Sequence, residues 1–378
     1  MKIATILTYY RPYTSGLTIY CERLSKELAN SGHEVSVLCM QHDSKLPEQE
    51  ELDRVQVMRA PVLCRIGKGS ISFKFYWQAL KLIASSDVVQ LHLPQLESGP
   101  VSLLAFLLRK KVVLTYHCDL ILPRGLINRV ANAAVLVSNF IAGLLATKIV
   151  GYTDDYANHS HFLKRFRAKV EIIPPPVVLP SSAENEIQQL QNLVHPVIGM
   201  ATRLATEKGV EVLIKALPEI FAKSSQGTVL FAGQHEGVLG EAEYYARILP
   251  QLKPYLTSGQ WRFLGILNPA EMSEFYRCLD ILVVPSLNAT ESFGLVQIEA
   301  MLNSVPVVAA DLPGVRQPVK LTGMGEIARI GDSKDLAEKV LCVLRAPEHY
   351  RKKPAFLETM FSPSSVCKAY QELFGKIA

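Results

Sequence analysis

Glu291 and Glu299 flank a glycine in the stretch Thr290-Glu291-Ser292-Phe293-Gly294-Leu295-Val296-Gln297-Ile298-Glu299, with seven residues between them. The stretch follows an apolar strand ending at Pro285 and enters a helix near Leu295. A strand, loop and helix in that order leave backbone N–H groups unpaired at the helix start, where the aligned peptide dipoles also favour an anion. Gly294 has no Cβ, so a phosphate can approach the backbone between Phe293 and Leu295. Two carboxylates around such an amide cluster suit hydroxyl-rich groups, one a sugar and the other a ribose diol. On spacing alone, a helix with two solvated glutamates is the plainer reading. A second stretch, Gly199-Met200-Ala201-Thr202-Arg203-Leu204-Ala205-Thr206-Glu207-Lys208-Gly209, puts two cations after another apolar strand. The fork of Arg203 and the point charge of Lys208 together would neutralise a diphosphate. The same pair also suits an ordinary charged helix start. His117 directly follows the apolar run Val112–Tyr116 and could hydrogen-bond a ligand hydroxyl, or equally be a packed core histidine.

These side chains need a frame of strands that end together. Residues 2–8 read as a strand, and a Tyr, Pro, Ser and Gly turn leads to Gly16. An amphipathic helix then runs to about Ser31, Gly32 caps it, and Glu34–Cys39 resumes a strand. Val88–Leu93 and Val112–Tyr116 continue the alternation. A second series has strands at Val197–Ala201, Thr228–Ala232, Ile281–Pro285 and Val305–Ala309, with helices at Val210–Ala222 and Glu271–Leu279. Such alternation predicts doubly wound parallel sheets, in which ligands gather at the carboxyl ends of strands. The proline-rich, then polar, segment Pro174–Val194 reads as a linker. The expected organisation is a first domain over 1–175, a linker over 176–195 and a second domain over 196–360, with a last helix at about 361–378 packing back on the first.

With 378 residues, 49% hydrophobic and 20% charged, the chain suits two globular domains. No apolar run is long enough to span a bilayer, and the amino terminus lacks a signal-peptide pattern, so a cytoplasmic location is expected. A net charge of +5 suits polyanionic ligands but is far from a nucleic-acid footprint, and no nucleic-acid partner is expected. The seven scattered cysteines contain no Cys-x-x-Cys pair, which argues against a disulfide framework or a zinc knuckle. His117-Cys118-Asp119 is a poor metal site, because adjacent residues at a strand end point in different directions.

Taken together and in this order, the two stretches resemble the retaining glycosyltransferases of family 4. The two-glutamate motif follows Val284-Pro285-Ser286, Thr202-Arg203-Leu204…Lys208-Gly209 is similar to the family's Gly-Arg-Leu…Lys-Gly, and Gly32-His33-Glu34-Val35 is present unchanged. The resemblance implies an α/β fold of the GT-B type, two facing Rossmann-like domains with a cleft between them, and no metal or other cofactor. It implies that Arg203 and Lys208 hold the diphosphate, Glu299 the ribose and Glu291 the donor sugar, supported by the amides of Phe293, Gly294 and Leu295. His117 would face the transferred sugar, and loop backbone near Leu264–Leu267 would meet the base. Gly16 would offer an amide to the donor, although Ser15 stands where the family has a second glycine. Thr202 likewise stands in place of glycine, and Pro175-Pro176-Val177-Val178 in place of Asn-Gly-Val-Asp. The implied reaction takes a UDP- or GDP-sugar to a lipid-linked or glycan acceptor, in cell-surface polysaccharide or glycolipid synthesis.

The run Lys164-Arg165-Phe166-Arg167-Ala168-Lys169 beside Phe162 and Leu163 reads as a solvated face or as a peripheral contact with an anionic membrane. The helix-spaced set Ile127, Val130, Ala134, Val137, Ile141 and Leu144 is expected in the core, leaving Leu136 and Phe140 off the stripe. Rival readings are a nicotinamide oxidoreductase, a non-catalytic sugar or lipid binding module, and a nucleotide-sugar hydrolase. The first lacks Gly-x-Gly-x-x-Gly in its first strand–helix turn.

Overall fold

In the computed structural model, residues 1–66, 69–121, 126–178, 188–224 and 226–377 are described. The chain divides into two compact units, Met1–Pro176 with Thr359–Ala378, and Val177–Glu358. The first unit begins with β1 (Lys2–Ile6), α1 (Gly16–Asn30) and β2 (Glu34–Met40). Two antiparallel pairs follow, β3 (Gln49–Leu52) with β4 (Val55–Ala60) and β5 (Cys64–Ile66) with β6 (Gly69–Ile71). Alternation then resumes with α2 (Phe73–Ser85), β7 (Val88–Leu93), α3 (Ser98–Leu107), β8 (Lys111–Tyr116), α4 (Leu126–Leu145) and β9 (Lys148–Gly151). Short helices α5 (Asp154–His159) and α6 (His161–Arg165) lead to β10 (Val170–Ile172).

Eight of these strands form one sheet in the order β10-β9-β8-β7-β1-β2-β4-β3, parallel except for the β3 edge. Every residue of β7 is buried, as a strand covered on both faces requires. From β1 the chain steps to β2 in one direction, and from β4 through β7, β8 and β9 in the other. Right-handed crossovers therefore put α1 on one face and α2, α3 and α4 on the opposite face. The last helix of the chain, Pro363–Ile377, packs on α1, and its Tyr370 hydroxyl lies 2.8 Å from both the Tyr20 hydroxyl and Thr115 Oγ1.

The second unit runs β11 (Val197–Ala201), α7 (Val210–Ser224), β12 (Thr228–Ala232), α8 (Ala242–Thr257), β13 (Trp261–Gly265), α9 (Pro269–Arg277), β14 (Ile281–Val284) and α10 (Leu295–Leu302). It continues with β15 (Val307–Ala310), α11 (Gln317–Thr322), β16 (Gly325–Ala328), α12 (Ser333–Arg345) and α13 (Pro347–Tyr350). Helix α14 (Ala355–Phe361) then leads to α15 (Pro363–Ile377). Its six-stranded sheet is parallel throughout, in the order β13-β12-β11-β14-β15-β16. The core of this unit packs Met200, Leu213, Phe231, Trp261, Val283 and Leu336 between strands and helices.

Residues 179–187 of the expected linker lie outside the described residues, and 188–195 is hydrogen-bonded to the second unit. There Arg262 donates to the carbonyls of Gln189, Gln191 and Asn192, and the Val194 amide donates to Thr228 Oγ1. The stripe expected in the core on α4 faces outward instead: Val130, Ala134, Val137, Ile141 and Leu144 are all exposed, while Ser138, Asn139, Ala142 and Gly143 are buried. Small residues are chosen for the inside because neighbours come close, and a Cβ on Gly143 would lie 2.4 Å from the Phe166 ring. Finally, Phe162, Leu163 and Phe166 are core residues rather than an apolar surface beside the basic run. Lys169 of that run caps α4, donating to the carbonyls of Gly143, Leu144 and Ala146, and Arg167 pairs with Asp154.

Candidate functional site

In the second unit β11 and β14 are neighbours, so the loops at their carboxyl ends meet. The first loop carries Arg203 and a 3-10 turn over Thr206–Lys208, closed by Gly209 in the left-handed region at φ 68°. A Cβ at Gly209 would lie 2.0 Å from the Pro285 carbonyl oxygen, so only glycine lets the two loops approach this closely. The Leu287 amide donates to the Glu207 carbonyl at 2.9 Å and ties them together. Across this junction Lys208 Nζ lies 2.6 Å from Glu291 Oε2, with both side chains about four-fifths covered. The structure thus joins a cation and a carboxylate 83 residues apart in the chain. Arg203, more exposed, pairs with Glu207 on its own loop.

Gly294, at φ 77°, turns the chain into α10 as its N-cap, with no side-chain cap on the first amides. Gln297 fixes this turn from inside: its buried amide donates to the Phe293 carbonyl at 2.7 Å and to the Val315 carbonyl at 2.8 Å. Phe293 is buried, and Leu295 opens the helix half-buried. One turn on, Glu299 Oε2 accepts from the Tyr276 hydroxyl of α9 at 2.9 Å. Arg203, Lys208, Glu291, Phe293, Gly294, Leu295 and Glu299 therefore all belong to loops and helix starts at the carboxyl ends of β11 and β14. An anion placed there would meet two cations and the positive end of a helix dipole.

Sequence reading missed the residues that hold this arrangement. Glu241 is buried and accepts from the Thr206 amide at 3.0 Å and its hydroxyl at 2.8 Å, shaping the lysine loop. Gly233, at φ 135°, follows β12, and a Cβ there would lie 2.0 Å from the Thr202 carbonyl oxygen. Glycine after a buried strand was a signal available in the sequence. Tyr276 and Glu241 had none, because nothing local marks them as partners of the motif. A cavity of about 630 Å³ near His195, Arg277, Asp280 and Arg351 lies at the opposite, amino-terminal ends of β11 and β14.

His117 and Gly16 belong to the first unit. Gly16 opens α1, and Ser15 before it is the N-cap: its hydroxyl accepts from the Thr18 amide while Thr18 Oγ1 accepts from the Ser15 amide. A Cβ at Gly16 would meet nothing within 4 Å, so the glycine leaves open space above the helix start. Ser15 in place of a glycine thus supplies a capping box. His117 is buried with both ring nitrogens engaged, Nδ1 by the Tyr152 hydroxyl and Nε2 by His92 Nδ1 at 2.9 Å. A ligand hydroxyl would have to replace one of those partners. Burial holds His117 well below its ordinary range, helped by the neighbouring His92, which is itself pushed down to about 3. Both imidazoles are neutral, fit to hydrogen-bond but not to act as imidazolium acids.

Among the described residues, no group of three or more His, Cys, Asp or Glu side chains could hold a metal ion. No described helix is long and apolar enough to cross a membrane.

Residues 14–179 match the sequence model of Glycosyltransferase Family 4, and residues 182–354 match that of glycosyl transferases group 1. An uncharacterized glycosyltransferase of Methanocaldococcus jannaschii is 24% identical over 85% of this chain and 83% of its own. A phosphatidyl-myo-inositol mannosyltransferase of Mycolicibacterium smegmatis is 24% identical over 91% of this chain and 85% of its own. Among solved structures, Anabaena HepE in complex with UDP and glucose superposes with a TM-score of 0.78 at 17% identity, covering 99% of each chain. Sucrose-phosphate synthase from Thermosynechococcus elongatus does so at 0.77 and 18%, covering 100% of this chain and 98% of its own, and both likenesses are of fold. With its two halves matched in turn by these models, the chain belongs to the group 1 and family 4 glycosyltransferases and has their two-domain α/β fold of the GT-B type.

Proposed function

We propose that this protein transfers a sugar, with retention of anomeric configuration, from UDP or GDP to a lipid-linked or glycan acceptor in cell-surface polysaccharide or glycolipid synthesis. The observation that carries the reading is the Lys208–Glu291 pair beside the start of α10, with Glu299 one turn on. Arg203, Lys208 and the Phe293, Gly294 and Leu295 amides receive the diphosphate, Glu299 the ribose diol and Glu291 the sugar hydroxyls. On the first domain, the Gly16 amide and neutral His117 are the groups proposed for the donor. The backbone near Leu264–Leu267 reads the base.

As the acceptor hydroxyl attacks the anomeric carbon, the bond from that carbon to the β-phosphate oxygen breaks. The acceptor proton passes to a leaving phosphate oxygen, on the face the phosphate leaves. Negative charge grows on the diphosphate, where fixed cations and helix-start amides stabilise it without reorganising. The same charges take the place of a metal ion. A donor of this class is supported by the HepE structures, which hold UDP, UDP with glucose, and UDP-glucose. A lipid-linked acceptor is supported by the name of the mycobacterial relative, and with it goes a place on the inner face of the plasma membrane.

Titration calorimetry with UDP and GDP tests the site. Arg203→Ala, Lys208→Ala and Glu299→Ala should each weaken binding about ten- to hundredfold, the loss of about 1.5–3 kcal/mol for a charged hydrogen bond. Wild-type affinity in all three variants would refute the assignment. Proton NMR of the first-formed product tests stereochemistry, and an inverted anomer refutes retention.

A further inference from the structure

Helices α2, α3 and α4 share one face of the first sheet, and none of the three carries an Asp or Glu. Two of them, α3 and α4, are also turned inside out in size, whereas α2 buries Phe75, Leu82 and Ile83. On α4 the small residues pack inward, while Val130 and Val137 are 64% and 60% exposed. Helix α3 lies directly alongside, since the Gly99 amide donates to Ser138 Oγ at 2.8 Å. Leu103, Phe106 and Leu107 are exposed on α3, and Val137, Ile141 and Leu144 on the neighbouring α4. Helix α3 packs on α2 as well, and α2 adds Trp77, 59% exposed, with Lys81 Nζ 5.1 Å from its ring centroid.

The charges around these apolar side chains are positive. Lys81, Arg109, Lys111 and Arg129 are exposed on the helices or at their ends. Of the nearby carboxylates, Glu48 is paired with Lys74 at 2.6 Å, Glu97 is buried, and Asp87, exposed after α2, accepts from the Lys2 amide at 2.7 Å. Several large apolar side chains exposed on neighbouring helices are the mark of an interface. A fringe in which cations outnumber carboxylates, on helices that carry no Asp or Glu, favours an anionic partner and disfavours a second copy of the same face. Aromatic and aliphatic side chains among lysines and arginines are the composition of a surface lying in the lipid headgroup region.

We propose that the α2–α3–α4 face of the first domain docks on an anionic lipid bilayer. Trp77, Phe106 and Val137 enter the headgroup–acyl boundary, while Lys81, Arg109 and Arg129 meet lipid phosphates. This rests on the reading that the acceptor is lipid-linked, and it moves the contact away from the 164–169 basic run, whose phenylalanines are core.

Co-sedimentation with phosphatidylglycerol vesicles tests it, with phosphatidylcholine vesicles as the control. The wild-type protein should pellet with phosphatidylglycerol at low salt and be released at high salt. Its tryptophan emission should shift to the blue, a change that reports Trp77 because Trp261 is buried. The double variant Trp77→Ser, Phe106→Ser should partition about tenfold less. UDP affinity, read by calorimetry on the same samples, should be unchanged in the variant. Wild-type protein that binds UDP but stays in the supernatant at low salt overturns docking and leaves the transferase reading standing. A double variant that pellets like wild type overturns this face, as does a dimer by light scattering that the variant abolishes without any vesicle binding. Wild-type protein that binds no nucleoside diphosphate refutes the transferase reading, whatever the vesicles show.

Discussion

Lys208 and Glu291 hold each other across the junction of two loops, and both have a role in the proposed site. In the proposed site, a diphosphate would compete with the carboxylate for the ammonium of this 2.6 Å ion pair. Removing the competing charge while keeping the shape separates the two roles. Glu291→Gln is expected to hold or raise UDP affinity, by up to about tenfold. It should lower sugar transfer about a hundredfold, because in the proposed mechanism the group lost acts on the sugar. Lys208→Met should lose both. Calorimetry reads the first effect and a transfer assay the second. If Glu291→Gln weakens UDP as much as Lys208→Met does, the pair serves the loop structure and the division of roles fails.

Glu97, the N-cap of α3, is buried with no hydrogen-bond partner for Oε2. Burial pushes its carboxyl up from 4.5 to about 7. Between those values the folded chain binds the proton and the unfolded chain does not. Glu97 therefore costs nothing below pH 4.5, and its cost grows as pH rises until it is complete above pH 7. The full cost is on the order of 3 kcal/mol. Neutral buried His92 acts in the opposite sense, withdrawing stability as pH falls from 6.5 towards about 3. Glu97→Gln removes the first effect alone. Scanning calorimetry should show the variant melting above wild type near pH 8, with the gain shrinking towards pH 4.5. An equal gain at both pH values would show that the carboxyl does not titrate this way.

For the molecule as a whole, the proposed leaving-group charge is met by the chain itself. Arg203, Lys208 and the start of α10 converge where β11 and β14 end. Activity with excess EDTA should therefore keep most of its turnover. Complete loss restored by Mg²⁺ or Mn²⁺ would show that these groups do not suffice. The same charges attract a polyanionic donor, so raising salt should lower kcat/KM more than kcat.

Local signals determined much of this. Apolar runs ended by glycine or a polar turn marked β7, β11 and β12 to the residue, and Gly294 marked the start of α10. Such features depend on a few neighbouring residues: which side chains a strand buries, and where only a residue without a Cβ can turn. The motif residues were legible for that reason, together with the family resemblance. Pairing was not. Lys208 meets Glu291, and Tyr276 meets Glu299, because β11 lies beside β14 and α9 beside α10's motif. Strand order is set by long-range packing that no local window contains. Periodicity likewise shows that α4 has an apolar side but not which side meets the sheet. The tertiary structure turned Ser138, Ala142 and Gly143 inward, because only small side chains fit against Gly99 and Phe166. That choice left Val137, Ile141 and Leu144 facing out.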